Sequence, residues 1–148
     1  MTTGHLDILR RAATLFDELV VAVMANPAKR GTFPLAERLE LLRTCTADLP
    51  TVRVDAVAGG LLVDYCREVG AVAVVKGVRG AADVEYELPM ARMNRHLSGL
   101  ETVLLPADPH WAHVSSSLVK EVAGHGGDVR GLVPDVVLPR LLERLAAS

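Results

Sequence analysis

The sequence predicts an α/β domain built on a doubly wound parallel sheet with helices on both faces, and three features point there. Short apolar runs of strand length alternate with segments of helical period. One run, Ala71-Val72-Ala73-Val74-Val75, is continuous enough to be a strand covered on both faces, as strands of parallel sheets are. No linker or low-complexity stretch interrupts the 148 residues, so the expectation is a single domain over residues 1–148.

Taken in order, Leu6, Leu9, Ala13 and Phe16 share one face of a first helix, and residues 18–25 form a strand. Leu35, Leu39 and Leu42 mark a second helix, residues 51–57 a second strand, and residues 61–69 a helix stopped by Gly70. The apolar run 71–75 follows as the third strand. A long helix covers roughly residues 82–97, and Pro89 inside it deletes a backbone donor and crowds the Glu85 carbonyl, which predicts a kink or break over 85–89. Met90 and Met93 on this helix read as core packing. Residues 101–105 make a fourth strand, a helix starts at Ser116, and a last one follows Pro139. The chain thus opens on a helix, whereas folds of this kind open on a strand.

Half of the residues are hydrophobic, which suits a soluble domain with a full core. A net charge of −2 and an aromatic content of 3% argue against a nucleic-acid surface, which needs a basic face and often stacking rings. No apolar stretch approaches the roughly 20 residues that span a bilayer, and no signal peptide opens the sequence, so the expected location is cytoplasmic, with no membrane partner. Cys45 and Cys66 lack metal-ligand spacing and read as two buried thiols. His110, His113 and His125 likewise form no metal pattern, and no protein-held metal is expected.

The chemistry-bearing segment is Lys76-Gly77-Val78-Arg79, followed by Asp83, Glu85-Tyr86-Glu87 and Met90-Ala91-Arg92-Met93-Asn94. Two cations beside a glycine at the carboxyl end of a buried strand, ahead of a helix, suit a phosphorylated ligand; Gly77 would let the backbone come close to it. A solvated basic loop is the plainer alternative for Lys-Gly-x-Arg alone. Asp83 and Glu85 read as first-turn acids favouring the helix dipole. At the amino end, Gly4 and His5 in a first helical turn could meet phosphate oxygens, or His5 could simply cap a surface helix. Ser115, Ser116 and Ser117 precede a helix and can cap it while presenting hydroxyls and N–H groups.

Thr2-Thr3-Gly4-His5 resembles the (His/Thr)-x-Gly-His signature of the nucleotidylyltransferase superfamily. Together with Asn26-Pro27-Ala28-Lys29, the 76–94 block, Trp111-Ala112-His113-Val114 and Ser115-Ser116-Ser117-Leu118-Val119-Lys120-Glu121-Val122, the sequence resembles the bacterial phosphopantetheine adenylyltransferases from Thr2 to its end. The resemblance implies a Rossmann-like fold and transfer of an adenylyl group from ATP to 4′-phosphopantetheine, giving dephospho-coenzyme A and pyrophosphate in the penultimate step of coenzyme A biosynthesis. It implies Mg2+, a homohexamer and feedback by coenzyme A. Residue by residue, it implies catalytic roles for His5, Lys29 and Arg79. ATP would be bound by His5, Gly77, Val78, Arg79 and Glu87, and by the run Trp111, Ala112, His113, Val114, Ser115, Ser116 and Ser117. The substrate would be bound by Lys29, Leu62 and Lys76, with the Leu62 register blurred by one extra residue near Gly60.

Relatives carry an apolar strand and a Gly-(Ser/Thr)-Phe-Asp-Pro loop ahead of the Thr-x-Gly-His motif, and this sequence has neither. The expectation is therefore a domain without its first, central strand, its ligand crevice opened and its activity weak. Pro89 is expected to displace Glu87 from the nucleotide. Two other readings stay open: a non-catalytic remnant of the fold, and another small-molecule nucleotidylyltransferase.

Overall fold

The computed structural model describes residues 1–24 and 31–147. Its elements alternate as the sequence predicts: α1 (Thr3–Ala13), β1 (Leu19–Met24), α2 (Leu35–Cys45), β2 (Val52–Val57), α3 (Leu62–Glu68), β3 (Ala73–Val78), α4 (Ala81–Ser98), β4 (Glu101–Pro106), a 3-10 turn (Pro109–Trp111), α5 (Ser116–Gly124) and α6 (Leu138–Ala146). The strand pairing among the described residues is parallel. β1 lies along β2 with Leu19 opposite Val52, and β3 along β4 with Ala73 opposite Glu101.

Among the described residues these two pairs do not join into one sheet. Backbone groups along a parallel strand point alternately to either side. The Leu19 N–H donates to the Thr51 carbonyl at 2.9 Å, so the backbone groups of Val20, Ala22 and Met24 turn away from β2. The Ala107 N–H donates to the Val78 carbonyl at 2.8 Å, so those of Val75 and Gly77 turn away from β4. A cavity lined by Val21 and Met24 of β1 and by Val75, Lys76 and Gly77 of β3 lies between the inner edges.

The third strand departs from its expected bounds. Ala71 is held in the turn that ends α3, its N–H bonded to the Cys66 carbonyl at 2.8 Å while Gly70 takes φ +70°. The strand therefore starts at Ala73 and carries Lys76 and Gly77 within it. Nor is it buried on both faces: β3 is mostly half-buried, and Val72 just before it is 80% exposed.

The larger core lies away from the strands. Leu41 and Cys45 of α2, Val119 and Ala123 of α5, Leu141 of α6 and the intervening Val129, Val133 and Val137 form one buried cluster. A smaller one joins Val63 and Cys66 of α3 to Leu100. Both cysteines are free and buried as expected, and burial raises both thiols above their ordinary pKa.

Helix α4 is not broken by Pro89; it runs unbroken from Ala81 to Ser98 and stops at Gly99, which takes φ +74°. Pro89 sits on an exposed stretch, where water can serve the carbonyl that lost its partner. The same helix corrects the reading of its methionines: Met90 and Met93 are 55% and 52% exposed.

Candidate active site

Helix α1 begins with a reciprocal cap. The Thr2 hydroxyl accepts from the His5 N–H while the His5 ring accepts from the Thr2 N–H. The Thr3 N–H and hydroxyl donate to the carbonyls of Leu132 and Gly131 at 3.0 and 2.7 Å, which pins this end of the helix to the loop before α6. One turn along, Ile8 lies against Gly77. A Cβ added to Gly77 would meet the Ile8 Cγ1 at 2.8 Å, so this glycine lets α1 approach β3 closely. That is a different reason for the glycine from the ligand approach expected of it.

These contacts bring His5 and the end of β3 to one cavity of about 1100 Å³. Lys76, Gly77 and Arg79 line one side, Glu87 and Asp83 of α4 stand beside them, and Trp111, Val114 and Ser115-Ser116-Ser117 close the other. Ser115 caps α5 by accepting from the Leu118 N–H at 3.1 Å. The first-turn N–H groups of Ser116 and Ser117 have no intrahelical partner by geometry, so an amino end capable of receiving an anion borders the cavity.

Each cation on β3 and just beyond it is held by an acid of α4. Arg79 gives Asp83 two guanidinium hydrogen bonds of 2.8 and 2.9 Å and a backbone bond of 2.9 Å. Those bonds hold Asp83 below the usual carboxylate range and raise Arg79. The Lys76 Nζ lies 3.2 Å from the Glu87 Oε2, so Glu87 stays at the cavity wall despite Pro89. His5 is open to the cavity's solvent yet set among protein atoms. Burial first, then the charges of the Met1 amine and Arg79, lower its pKa from 6.5 and favour the neutral ring.

Four expected site residues lie off this lining. Val78 is buried with its backbone turned to β4; Leu62 packs against the α3 cluster; Ala112 and His113 sit beside the cavity without lining it. Lys29 lies outside the described residues. His110 packs edge-on against Trp111, ring centroids 4.5 Å apart. Sequence reasoning missed other participants. Asp83 holds Arg79, a contact its i,i+4 spacing could have suggested. Arg38 of α2 and Lys120 of α5 also line the cavity. Lys120 is four residues past Ser116, on the same helix face, whereas nothing local marked Arg38. A shallower hollow between α2 and α6 is bridged by Arg140 and Arg144 to Glu37 and Glu40, and its charges are structural.

Parallel β-α-β units that aim helix amino ends and cations into one cavity belong to the nucleotide-handling α/β class. The family model described as cytidylyltransferase-like matches residues 1–122, which fixes that class as nucleotidyltransferase. Curated relatives narrow it. The phosphopantetheine adenylyltransferase of a Nocardioides species is 59% identical over all of this chain and 92% of its own length. Those of Clavibacter michiganensis subsp. michiganensis and Streptomyces coelicolor are 56% and 53% identical, covering 99% and 98% of this chain and 91% of each relative. The chain belongs to the phosphopantetheine adenylyltransferase family.

Proposed function

We propose that this protein transfers the adenylyl group of ATP to 4′-phosphopantetheine, releasing pyrophosphate and forming dephospho-coenzyme A in the penultimate step of coenzyme A biosynthesis. The observation that carries this reading is the meeting of His5, Lys76, Arg79 and the amino end of α5 at one cavity, in a chain so similar to phosphopantetheine adenylyltransferases.

The chemistry is an in-line displacement. A phosphate oxygen of the acceptor attacks the α-phosphorus of ATP; the bond to the β-phosphate oxygen breaks, and its electrons leave with pyrophosphate. A phosphate nucleophile is already ionised near neutral pH, so no strong base is required. The protein's work is alignment and charge stabilisation. His5 donates to an α-phosphate oxygen. The N–H groups of Ser116 and Ser117 hold the leaving phosphates, and Arg79, held by Asp83, adds positive charge. Lys76 exchanges Glu87 for the acceptor's phosphate, and Lys29 serves both phosphates. Trp111 and Val114 give the nucleotide an apolar wall, Ala112 and His113 lend backbone from beside it, Val78 fixes the strand end that carries Arg79, and the Leu62 backbone contacts the pantetheine arm.

Magnesium fits this site as part of the nucleotide substrate. Among the described residues no group of three His, Cys, Asp or Glu could hold an ion, and the two acids at the cavity are engaged by Arg79 and Lys76.

Assembly into a homohexamer, location in the cytoplasm and feedback by coenzyme A at the same cavity complete the proposal. Tyr86, Met90, Met93 and Leu97 recur at helical spacing along α4 and are 79%, 55%, 52% and 47% exposed, a stripe that suits burial against other copies. No helix among the described residues is long and apolar enough to cross a membrane.

The test is pyrophosphate release that requires ATP and 4′-phosphopantetheine together. Release driven by CTP, or with another acceptor, would redirect the reading to a different small-molecule nucleotidylyltransferase. The gap between β1 and β3 favours one further reading, a remnant that binds without turnover; calorimetric ATP binding with no pyrophosphate would select it.

A further inference from the structure

Thr2 is 2% exposed, and besides the backbone bond from the His5 N–H to the Thr2 carbonyl at 3.1 Å, three polar contacts join it to His5. The Thr2 N–H donates to His5 Nδ1 at 3.2 Å, the Thr2 Oγ1 lies 2.6 Å from that nitrogen, and the His5 N–H donates to Oγ1 at 3.4 Å. A backbone N–H can only donate, so Nδ1 must offer its lone pair and cannot carry a proton. The hydroxyl is then oriented too. Its proton points to Nδ1, and its own lone pairs are left for the His5 N–H. Only one arrangement satisfies every group: a neutral imidazole with its proton on Nε2.

We infer that Thr2 is a positioning residue, which locks His5 as the Nε2–H tautomer and so makes the ring edge facing the cavity a donor. The catalytic weight of this rests on the proposed adenylyl transfer, in which oxygens on the α-phosphate gain charge. A donor edge stabilises that charge. The same edge cannot accept a proton from an incoming nucleophile, so His5 in this state is excluded as the general base. The tautomer of a ring is set by what its other nitrogen meets, and here a single buried residue meets it twice.

The experiment uses the full chain labelled with 15N-histidine and records long-range nitrogen–proton correlations above the ordinary histidine range. Of the five histidines, His5 is assigned as the signal lost in His5→Gln. The expected result is one form, with Nδ1 unprotonated and Nε2 bearing the proton. A proton on Nδ1 in the wild-type protein, or an averaged mixture, overturns the inference.

Three substitutions probe Thr2 itself. Thr2→Ser keeps both donors and should keep the pattern, whereas Thr2→Asp preserves a good helix cap but sets an acceptor against the backbone N–H that still donates to Nδ1, so the single form should give way to a mixture of the two tautomers. An unchanged ring in Thr2→Asp would mean that the backbone N–H alone sets the tautomer, and refutes the role given to the Thr2 side chain. Thr2→Val should lower kcat severalfold with less change in KM for ATP, and Thr2→Ser should recover most of the loss. A wild-type protein that holds the Nε2–H form yet releases no pyrophosphate would strike the functional reading alone.

Discussion

Gly77→Ala is the sharpest probe of how this site is held together. The added Cβ would lie 2.8, 3.2 and 3.4 Å from the Cγ1, Cδ1 and Cγ2 of Ile8, whereas carbons attract best at about 3.5–4.0 Å. Gly77 has no positive φ, so alanine is allowed by the backbone and the effect is purely one of space. Overpacking of this kind costs about 1–3 kcal/mol, and replacing glycine within a strand returns about 0.5–1 kcal/mol. The net expectation is a loss of about 1–2 kcal/mol, or roughly 2–8 °C in melting temperature for a chain of this length. Denaturant melts of Gly77→Ala, Ile8→Ala and the double variant measure it. Once Ile8 is shortened the new methyl has room, so the double variant should be more stable than the sum of the singles predicts by about 1 kcal/mol. Additivity within about 0.5 kcal/mol would refute the claim that Gly77 exists to admit Ile8.

Three other outcomes are expected. The Tyr65 hydroxyl donates to Asp55 at 2.8 Å, and burial together with that carboxylate raises its pKa to about 12; ultraviolet titration should find its midpoint there and see it fall in Asp55→Asn. Because the folded value lies above the free tyrosine value of 10.0, the stability tied to this group is intact below pH 10.0 and drains away as pH rises toward 12. For His5 the folded value lies below 6.5, so the unfolded chain binds the proton first as pH falls. The protein should then lose stability below pH 6.5 relative to His5→Gln, and parallel stability curves would contradict this. Finally, joining an apolar segment of about six strand-forming residues ahead of Met1 should raise the melting temperature by supplying partners to β1 and β3. Equal melting of the two forms would count against a strand-shaped gap.

Much of the fold was legible because periodicity and caps are local. The helix-strand alternation, the α1 start at the Thr-x-Gly-His motif and the Ser115 cap all follow from neighbours in sequence. What was not legible depended on contacts across the chain. The third strand was placed too early because nothing in an apolar run says that its first residue will close the turn of the preceding helix, as Ala71 does on Cys66. The packing role of Gly77 was not legible because the Ile8 side chain, from a helix nearly seventy residues earlier, cannot be seen from the motif. Met90 and Met93 look like core in one dimension and are exposed in three. Pro89 was expected to kink or break α4 and does not break it, because its exposed position leaves solvent to serve the orphaned carbonyl. The gathering of His5, Lys76, Arg79 and the serine run at one cavity was anticipated from the family pattern, while Lys120 was marked only by its spacing from Ser116 and Arg38 came from the fold alone.

Among the described residues the inner borders of β1 and β3 are unshared. Open strand borders ordinarily recruit other molecules, but here they look into a hollow whose walls include Ile8 and Leu9 of α1, so only a slender extended segment can reach them. Aggregation should therefore stay suppressed until α1 loosens. Since α1 also carries His5, heating should abolish nucleotide affinity and start precipitation in the same narrow interval, and a bound nucleotide should delay both.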